Sequence, residues 1–327
     1  MPRAVLCREL GPPERLRLEE LPPAPLGPGD ARVRLHACGI NFPDTLTILG
    51  KYQHRPELPF IPGVESAGVI AELAPGIAGW RVGDPVITRQ RTGGYAEEIV
   101  IPAQHLVPLP RGFSFAEGAG FLVASLTAYH ALVQRAALAA GETLLVHGAA
   151  GGVGLAAVEL GKWLGARVIA TASTAQKRAI ARERGADEVI DYTAEDFVEA
   201  VRRSTGGGGA DVVFDPVGGE VMVQSLRALA WAGRLLVIGF AGGTIPALPA
   251  NRILLRGCSV IGVRAGEASR LQPGLAQAAT AALLDLAAAG HLRPHIAETL
   301  PLSRFAEGMR RLMDRRAIGR VILLPGG

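Results

Sequence analysis

The stretch Glu142–Gly165, ETLLVHGAAGGVGLAAVELGKWLG, decides the fold. Thr143 to His147 is a short apolar run of strand length. Gly148, Ala149, Ala150, Gly151, Gly152, Val153 and Gly154 make a glycine-rich turn. Leu155 to Leu164 then carries apolar residues at helical spacing: Leu155, Val158, Leu160, Trp163 and Leu164. Strand, glycine turn and helix are the context of a dinucleotide fingerprint. In this reading Gly151 allows the tight turn, while Gly152 and Gly154 leave room for a pyrophosphate and for helix against strand. The N-terminus of the helix offers free N–H groups and its dipole to the diphosphate. A glycine-rich turn alone also occurs in other α/β proteins, so the next element matters.

Arg167 to Ala172 (RVIATA) follows as a second strand, at βαβ spacing. Its end carries Thr171, Ala172 and Ser173, with no carboxylate to hold two ribose hydroxyls. Lys177 and Arg178 follow within a turn. A missing acid beside cations favours a 2′-phosphate, hence NADP over NAD. The competing reading of the cations is a solvated helix face, since Arg182 and Arg184 continue the basic run.

Further strands and helices alternate downstream. Glu188–Ile190, Asp211–Asp215, Arg234–Ile238 and Ser259–Val263 read as strands; Asp196–Arg203 and Val221–Trp231 read as helices. This alternation predicts a doubly wound parallel sheet. Ligands of such sheets sit past the carboxyl ends of the strands. Ser173, Tyr192, Val217, Gly239, Phe240, Val263 and Arg264 therefore fall at the expected cofactor rim.

The N-terminal third has a different texture. Ala4–Cys7, Leu16–Glu19, Ala31–Ala37, Val64–Leu73, Asp84–Thr88 and Gly94–Pro102 are short strand patterns punctuated by glycine and proline. They predict a β-rich, barrel-like module. Asn41 lies in the loop after the third of them, with Asp44, Tyr52 and His54 just beyond. Either the loop carries function or Asn41 and Asp44 are turn and helix-start residues. Ser114–Ala137 reads as a helix opened by a Ser114/Glu117 capping box, with a break expected near Gly118–Gly120. Gln272–Ala289 and Pro301–Arg315 read as helices and Gly319–Leu323 as a closing strand that returns to the N-terminal module.

The whole chain of 327 residues suits two domains. Hydrophobic residues make up 49% and charged residues 20%, enough for a large core and against disorder. The longest apolar runs fall short of the ~18 residues a membrane span needs. The opening MPRAVLCREL has no signal-type apolar region, so a cytoplasmic location is expected. The net charge of +4 is scattered, without a basic stripe interleaved with aromatics, which speaks against specific nucleic-acid binding. Cys7, Cys38 and Cys258 are odd in number and widely spaced, which fits a reducing compartment.

Cys38–Tyr52 (CGINFPDTLTILGKY), Pro62–Ile70 (PGVESAGVI), Gly93–Glu98 (GGYAEE), Leu126–Leu132 (LTAYHAL), Val146–Ala157 (VHGAAGGVGLAA) and the closing GRVIL span nearly the whole chain in order. Together they resemble the medium-chain dehydrogenase/reductase superfamily, in its zinc-free, zeta-crystallin-like quinone oxidoreductase branch. The resemblance implies an α/β chain with a GroES-like catalytic domain (1–122), an inserted Rossmann NADP domain (123–264) and a C-terminal return (265–327) that completes the catalytic domain. Zinc-dependent relatives place a ligand Cys at Asn41 and a ligand His at Val64. Asn and Val are poor zinc ligands, so no metal is expected.

By the same resemblance, Asn41 and Tyr52 are active-site residues and Thr127 lies near the nicotinamide. Ala150, Gly151, Gly152 and Val153 form the pyrophosphate loop; Ser173, Lys177 and Tyr192 surround the adenosine phosphate. Val217, Gly239, Phe240, Val263 and Arg264 form the nicotinamide rim. Arg320 is either a basic residue near the cofactor or a surface charge. The implied chemistry is metal-free hydride transfer from NADPH to a quinone, with Asn41 or Tyr52 donating to the oxygen that gains charge. An alternative acceptor is the C=C of an enone or enoyl thioester. Arg55, Arg89 and Arg91 then make a basic track, unless they are exposed loop arginines. A third reading is an NADPH-binding protein with little catalysis, crystallin-like or RNA-binding. A homodimer through the last Rossmann strand, Ser259–Val263, is expected.

Overall fold

The computed structural model describes residues 1–326. In chain order, β1 (Arg3–Leu6), β2 (Arg17–Glu20) and β3 (Asp30–Gly39) lead to α1 (Phe42–Ile48). Then come β4 (Glu65–Leu73), β5 (Pro85–Arg89), β6 (Glu98–Pro102), β7 (Leu106–Pro108) and α2 (Phe115–Tyr129). The next elements are β8 (Thr143–Val146), α3 (Gly152–Trp163), β9 (Arg167–Thr171), α4 (Ala175–Glu183), β10 (Glu188–Ile190) and α5 (Phe197–Ser204). They continue with β11 (Ala210–Asp215), α6 (Gly219–Ala228), β12 (Leu229–Val237), α7 (Ala250–Arg256), β13 (Ser259–Gly262), α8 (Ala265–Leu271) and α9 (Pro273–Ala288). β14 (Ile296–Pro301), α10 (Phe305–Met313) and β15 (Arg320–Leu324) close the chain.

Two compact units result, Met1–Val123 with the chain from Pro294 onward, and Ala124–Arg293. The return to the first unit therefore begins at Pro294 rather than at 265. The reason lies in α8 and α9. Ala265, Ala268 and Ala279 share a small cavity lining with Leu126, His130 and Gln134 of the second unit, and Leu283 and Leu286 are buried.

The first unit is built on a seven-stranded sheet in the order β14-β15-β3-β4-β5-β7, with β6 also paired to β3. Strand β3 alternates as its sequence predicts: Val33 and Leu35 are buried, and Arg34 is exposed. The closing strand lies antiparallel to it, Leu323 opposite Cys38. Val5, Val33, Leu35, Tyr95, Met309 and Val321 belong to one core, so residues from both ends of the chain share it. No break occurs at Gly118–Gly120; α2 runs through and continues as a π-helical segment at His130–Arg135. These glycines serve packing instead. A Cβ on Gly120 would stand 3.2 Å from Arg320 Cγ and Ile296 Cδ1. The Ser114/Glu117 capping box is present, Ser114 N–H donating to Glu117 at 2.8 Å and Glu117 N–H to Ser114 Oγ at 3.2 Å.

The second unit holds a six-stranded sheet, β10-β9-β8-β11-β12-β13, parallel throughout. Counted from β8 the order is 3-2-1-4-5-6, the dinucleotide-binding arrangement with its switch point between the first and fourth strands. The helix expected over Val221–Trp231 stops at Ala228, and Leu229–Trp231 enter β12, where Leu229 pairs with Ala210. An apolar triplet fits either period, and the parallel ladder decides. α7, α8 and β14 had no counterpart in the sequence reading; α7 and α8 have 7 residues each, about two turns, too short for a helical period to stand out. No described helix is long and apolar enough to cross a membrane.

Candidate active site

In the second unit, the glycine turn bends at Gly148, whose φ is +56°. Gly151, expected to supply the bend, sits at φ −80° as the N-cap of α3. Gly154 supplies closeness: a Cβ there would overlap the Gly148 carbonyl and lie 2.8 Å from Ala149 Cα. Gly151 has no side chain to cap α3, so the first N–H groups beside Ala150, Gly151, Gly152 and Val153 are left for an anion.

The other rim residues follow their strands. Ser173 comes just after β9, and Thr174 caps α4 by accepting from the Lys177 N–H at 3.2 Å. Lys177 is half-buried. Arg178 is committed to Asp191 at 2.5 Å and to the Ser173 carbonyl, which separates the roles of the two cations. Tyr192 is 48% exposed beyond β10. At the end of β11, the buried Asp215 accepts from the N–H groups of Val217 (2.7 Å) and Gly218 (3.1 Å), shaping the turn that carries Val217. Burial pushes the Asp215 carboxyl up to about 6, against those two donors. Gly239 and Phe240 follow β12, and the buried Val263 and exposed Arg264 follow β13. Thr127 lies half-buried in α2.

His147, just past β8, is buried and bonded on both ring nitrogens, to Thr171 Oγ1 (3.0 Å) and Ser225 Oγ (2.9 Å). Desolvation takes its pKa down to about 3. The folded protein therefore holds it neutral while the unfolded chain protonates it near 6.5. Stability from this residue is present above that value and lost as pH falls from about 6.5 to about 3. Asp44 and Asp215, both raised by burial, act in the opposite sense. Urea titrations from pH 7 to pH 4 should show a steeper loss in the wild type than in His147→Gln. Equal slopes would remove His147 from the account.

In the first unit, Asn41 is the N-cap of α1 and is 3% exposed. Its N–H donates to Asp44 Oδ2 at 2.8 Å, and the same oxygen accepts from the Tyr95 hydroxyl at 2.8 Å. Burial pushes the Asp44 carboxyl up to about 7, opposed by these donors and by Arg320. The Asn41 amide Nδ2 lies 3.3 Å from the Gly39 carbonyl, its side chain shares a capping box with Asp44, and Asn41 is among the groups that favour the charged form of Glu65. Glu65 is fully buried and accepts from the Val123 N–H at 2.8 Å and from Arg320 Nη2 at 2.9 Å. Its pKa is raised by burial, which outweighs the downward pull of Arg320 and the N–H donors. Arg320 is thus no surface charge; it is the buried partner of Glu65. Arg89 is half-buried at the end of β5, opposite Glu65, whereas Arg55 and Arg91 are exposed. Tyr52 is half-buried in the stretch between α1 and β4.

Glu65 and Tyr95 escaped the sequence reading, whereas Asp44, weighed there as a helix-start residue, stands at the start of α1 in a capping box with Asn41. The available signal was an acid within an apolar strand, ESAGVI, which demands a partner. The positions that hold zinc in metal-dependent relatives do not make a ligand set. The Val64 side chain has no ligating atom, and the Asn41 amide nitrogen donates to the Gly39 carbonyl. The buried Cys38 thiol is pushed up to about 12, away from the thiolate a metal needs. The described residues contain no group of three or more His, Cys, Asp or Glu able to hold a metal.

Residues 27–111 match the alcohol dehydrogenase GroES-like domain family, and residues 152–281 the zinc-binding dehydrogenase family. The chain is 39% identical to a quinone oxidoreductase-like protein 2 homolog from Nematostella vectensis, over 98% of this chain and 88% of that protein. A quinone oxidoreductase structure from Pseudomonas syringae superposes with a TM-score of 0.91 at 33% identity, covering 99% of this chain and 100% of that one. The Escherichia coli quinone oxidoreductase complexed with NADPH gives 0.91 at 30% identity, with the same coverage of 99% and 100%. With the glycine cradle, the strand order and these relatives along its whole length, the chain belongs to the quinone oxidoreductase branch of the medium-chain dehydrogenase/reductase superfamily.

Proposed function

We propose that the protein is a cytoplasmic, zinc-independent NADPH:quinone oxidoreductase. The observation that supports this most is the cradle at the switch point, where Gly154 lets α3 close on the Gly148 carbonyl. The relatives include a quinone oxidoreductase complexed with NADPH. When bound, the nicotinamide supplies a hydride.

The chain's own residues bind and orient. The α3 N-terminus takes the diphosphate. Ser173, Lys177 and Tyr192 take the adenosine end, where no acid follows β9. Thr127, Val217, Gly239, Phe240, Val263 and Arg264 line the nicotinamide end, and Arg320 supports the site through Glu65. Asn41 and Tyr52 meet the acceptor. The Tyr52 hydroxyl donates to the oxygen that gains charge, and Tyr52 or water provides the proton.

A charge-assisted bond to phosphate is worth about 1.5–3 kcal/mol, or about 10–100-fold in affinity. Lys177→Ala should raise KM for NADPH by that factor and leave NADH unaffected. An equal rise for both cofactors would remove Lys177 from the 2′-phosphate site. The overall test is NADPH oxidation by metal-stripped protein with a 1,4-quinone, with crotonyl and acryloyl thioesters, and with NADH in parallel. Quinone-dominated turnover is expected. Thioester-dominated turnover would move the reading to C=C reduction, and silence on every acceptor would leave a binding protein.

The reading includes a homodimer. β13 is an edge strand, and next to it Trp231, Leu254 and Leu255 are 73–78% exposed. The Trp231 ring lies 3.3 Å from where a Cβ on Gly257 would stand, so the end of α7 and β12 form one apolar face. Leu254→Asp with Leu255→Asp should give a monomeric mass by light scattering; an unchanged dimer would place the interface elsewhere.

A further inference from the structure

Strand β9 ends without an acid of its own, yet a carboxylate stands beside that end. β9 and β10 run parallel, with Thr171 opposite Ile190 and the Ala172 N–H bonded to the Ile190 carbonyl at 3.1 Å. Asp191 follows Ile190 and so comes beside Ala172 and Ser173. One nitrogen of Arg178, Nη1, joins the two sides. It donates to Asp191 Oδ2 at 2.5 Å and to the Ser173 carbonyl at 3.2 Å. The Asp191 carboxylate is therefore only one guanidinium nitrogen away from the end of the second strand, where an NAD site keeps the acid that holds the ribose hydroxyls. Turn chemistry keeps it there. Its Oδ1 accepts from the Thr193 N–H (3.0 Å) and hydroxyl (2.6 Å), and its carbonyl accepts from the Ala194 and Glu195 N–H groups. The Thr193 bonds, and after them the Arg178 charge, hold the carboxyl below its usual range, so it is ionised at neutral pH. An anion at this place opposes a 2′-phosphate, and the guanidinium in contact with it cancels that charge.

We infer that Arg178 determines cofactor choice without touching the cofactor: as the positioning residue of Asp191, it masks an acid that would otherwise select NADH, and so admits the 2′-phosphate of NADPH. This deepens the NADPH reading and rests on it. The two cations adjacent in sequence then act differently. Lys177 attracts the phosphate, and Arg178 removes what would repel it.

The test compares the full-length wild type with Arg178→Met, Asp191→Asn and the double variant. The pair is partly exposed, so its loss leaves the fold intact. Binding is read by calorimetry with 2′,5′-ADP and with 5′-ADP, and turnover with NADPH and NADH on 1,4-benzoquinone. Arg178→Met should lose about 10–100-fold in affinity for 2′,5′-ADP, the effect of an unmasked like charge. Its affinity for 5′-ADP should stay within about 3-fold of wild type, since that ligand carries no 2′-phosphate. KM for NADPH should rise in the same proportion while kcat stays within about 3-fold, because the change lies at the adenosine end. Asp191→Asn keeps an acceptor for Thr193 and should bind 2′,5′-ADP at least as well as wild type. The double variant should return to within about 3-fold of wild type, because the anion leaves together with its mask. A double variant as weak as Arg178→Met would mean that Arg178 bonds the phosphate directly, and overturns the masking role. An unchanged preference in Arg178→Met, or equal losses for both nucleotides, overturns it too. A wild type with no preference for 2′,5′-ADP defeats the NADPH reading and this inference with it. The expected affinities without turnover on any quinone leave the inference standing and defeat the quinone reading alone.

Discussion

Arg320→Met should destabilise the folded protein by about 3–5 kcal/mol, the usual consequence of leaving a buried charge without its partner. Glu65 is fully buried, and Arg320 is itself only 7% exposed. Their contact at 2.9 Å brings a cation to the Glu65 carboxylate within the first unit, while the Val123 N–H and the Asn41 amide supply only dipoles. Without the guanidinium, the carboxylate must either stay charged in a dry place or take up a proton. Urea denaturation should therefore show a large midpoint shift at pH 8 and a smaller one at pH 5, where protonation relieves the charge. Adding Glu65→Gln to Arg320→Met should recover most of the loss, since an acceptor for Val123 remains and the stranded charge is gone. A single variant as stable as wild type would mean that the pair is solvated in solution.

Gly154→Val should weaken NADPH binding by about 10²–10⁴-fold. A side chain at this position overlaps the Gly148 carbonyl and crowds Ala149. Both atoms are backbone, so the helix has to move away from the turn. Two misplaced N–H contacts to a diphosphate, at about 1.5–3 kcal/mol each, account for that factor. Gly151→Ala is the contrast. Its nearest neighbour is at 3.4 Å and its φ is −80°, so a methyl fits and affinity should stay within about 3-fold of wild type. NADPH fluorescence titration reads both variants. Wild-type affinity in folded Gly154→Val would show that the diphosphate does not use this cradle.

The contrast between Gly151 and Gly154 shows where sequence reading stops. The pattern located the turn and the helix start, yet it assigned the bend to Gly151, whereas Gly148 makes it. Spacing reports that glycines are needed, and φ reports which one is strained. Gly118 and Gly120 teach the same point: they look like helix breakers, and they are sites where α2 packs tightly.

By itself, the sequence determined the class of both units, the strand and helix order of the nucleotide-binding sheet, and the missing acid after its second strand. These are local matters, because periods of two and 3.6 residues and a glycine turn are written within about thirty consecutive residues. Only the tertiary structure decided that Arg320 and Glu65, 255 positions apart, form one buried pair. It alone placed the return to the first unit at Pro294. Each of these is a choice among partners distant in the chain. Burial makes the choice strict, because a charge or an amide withdrawn from water must find its counterpart in the fold.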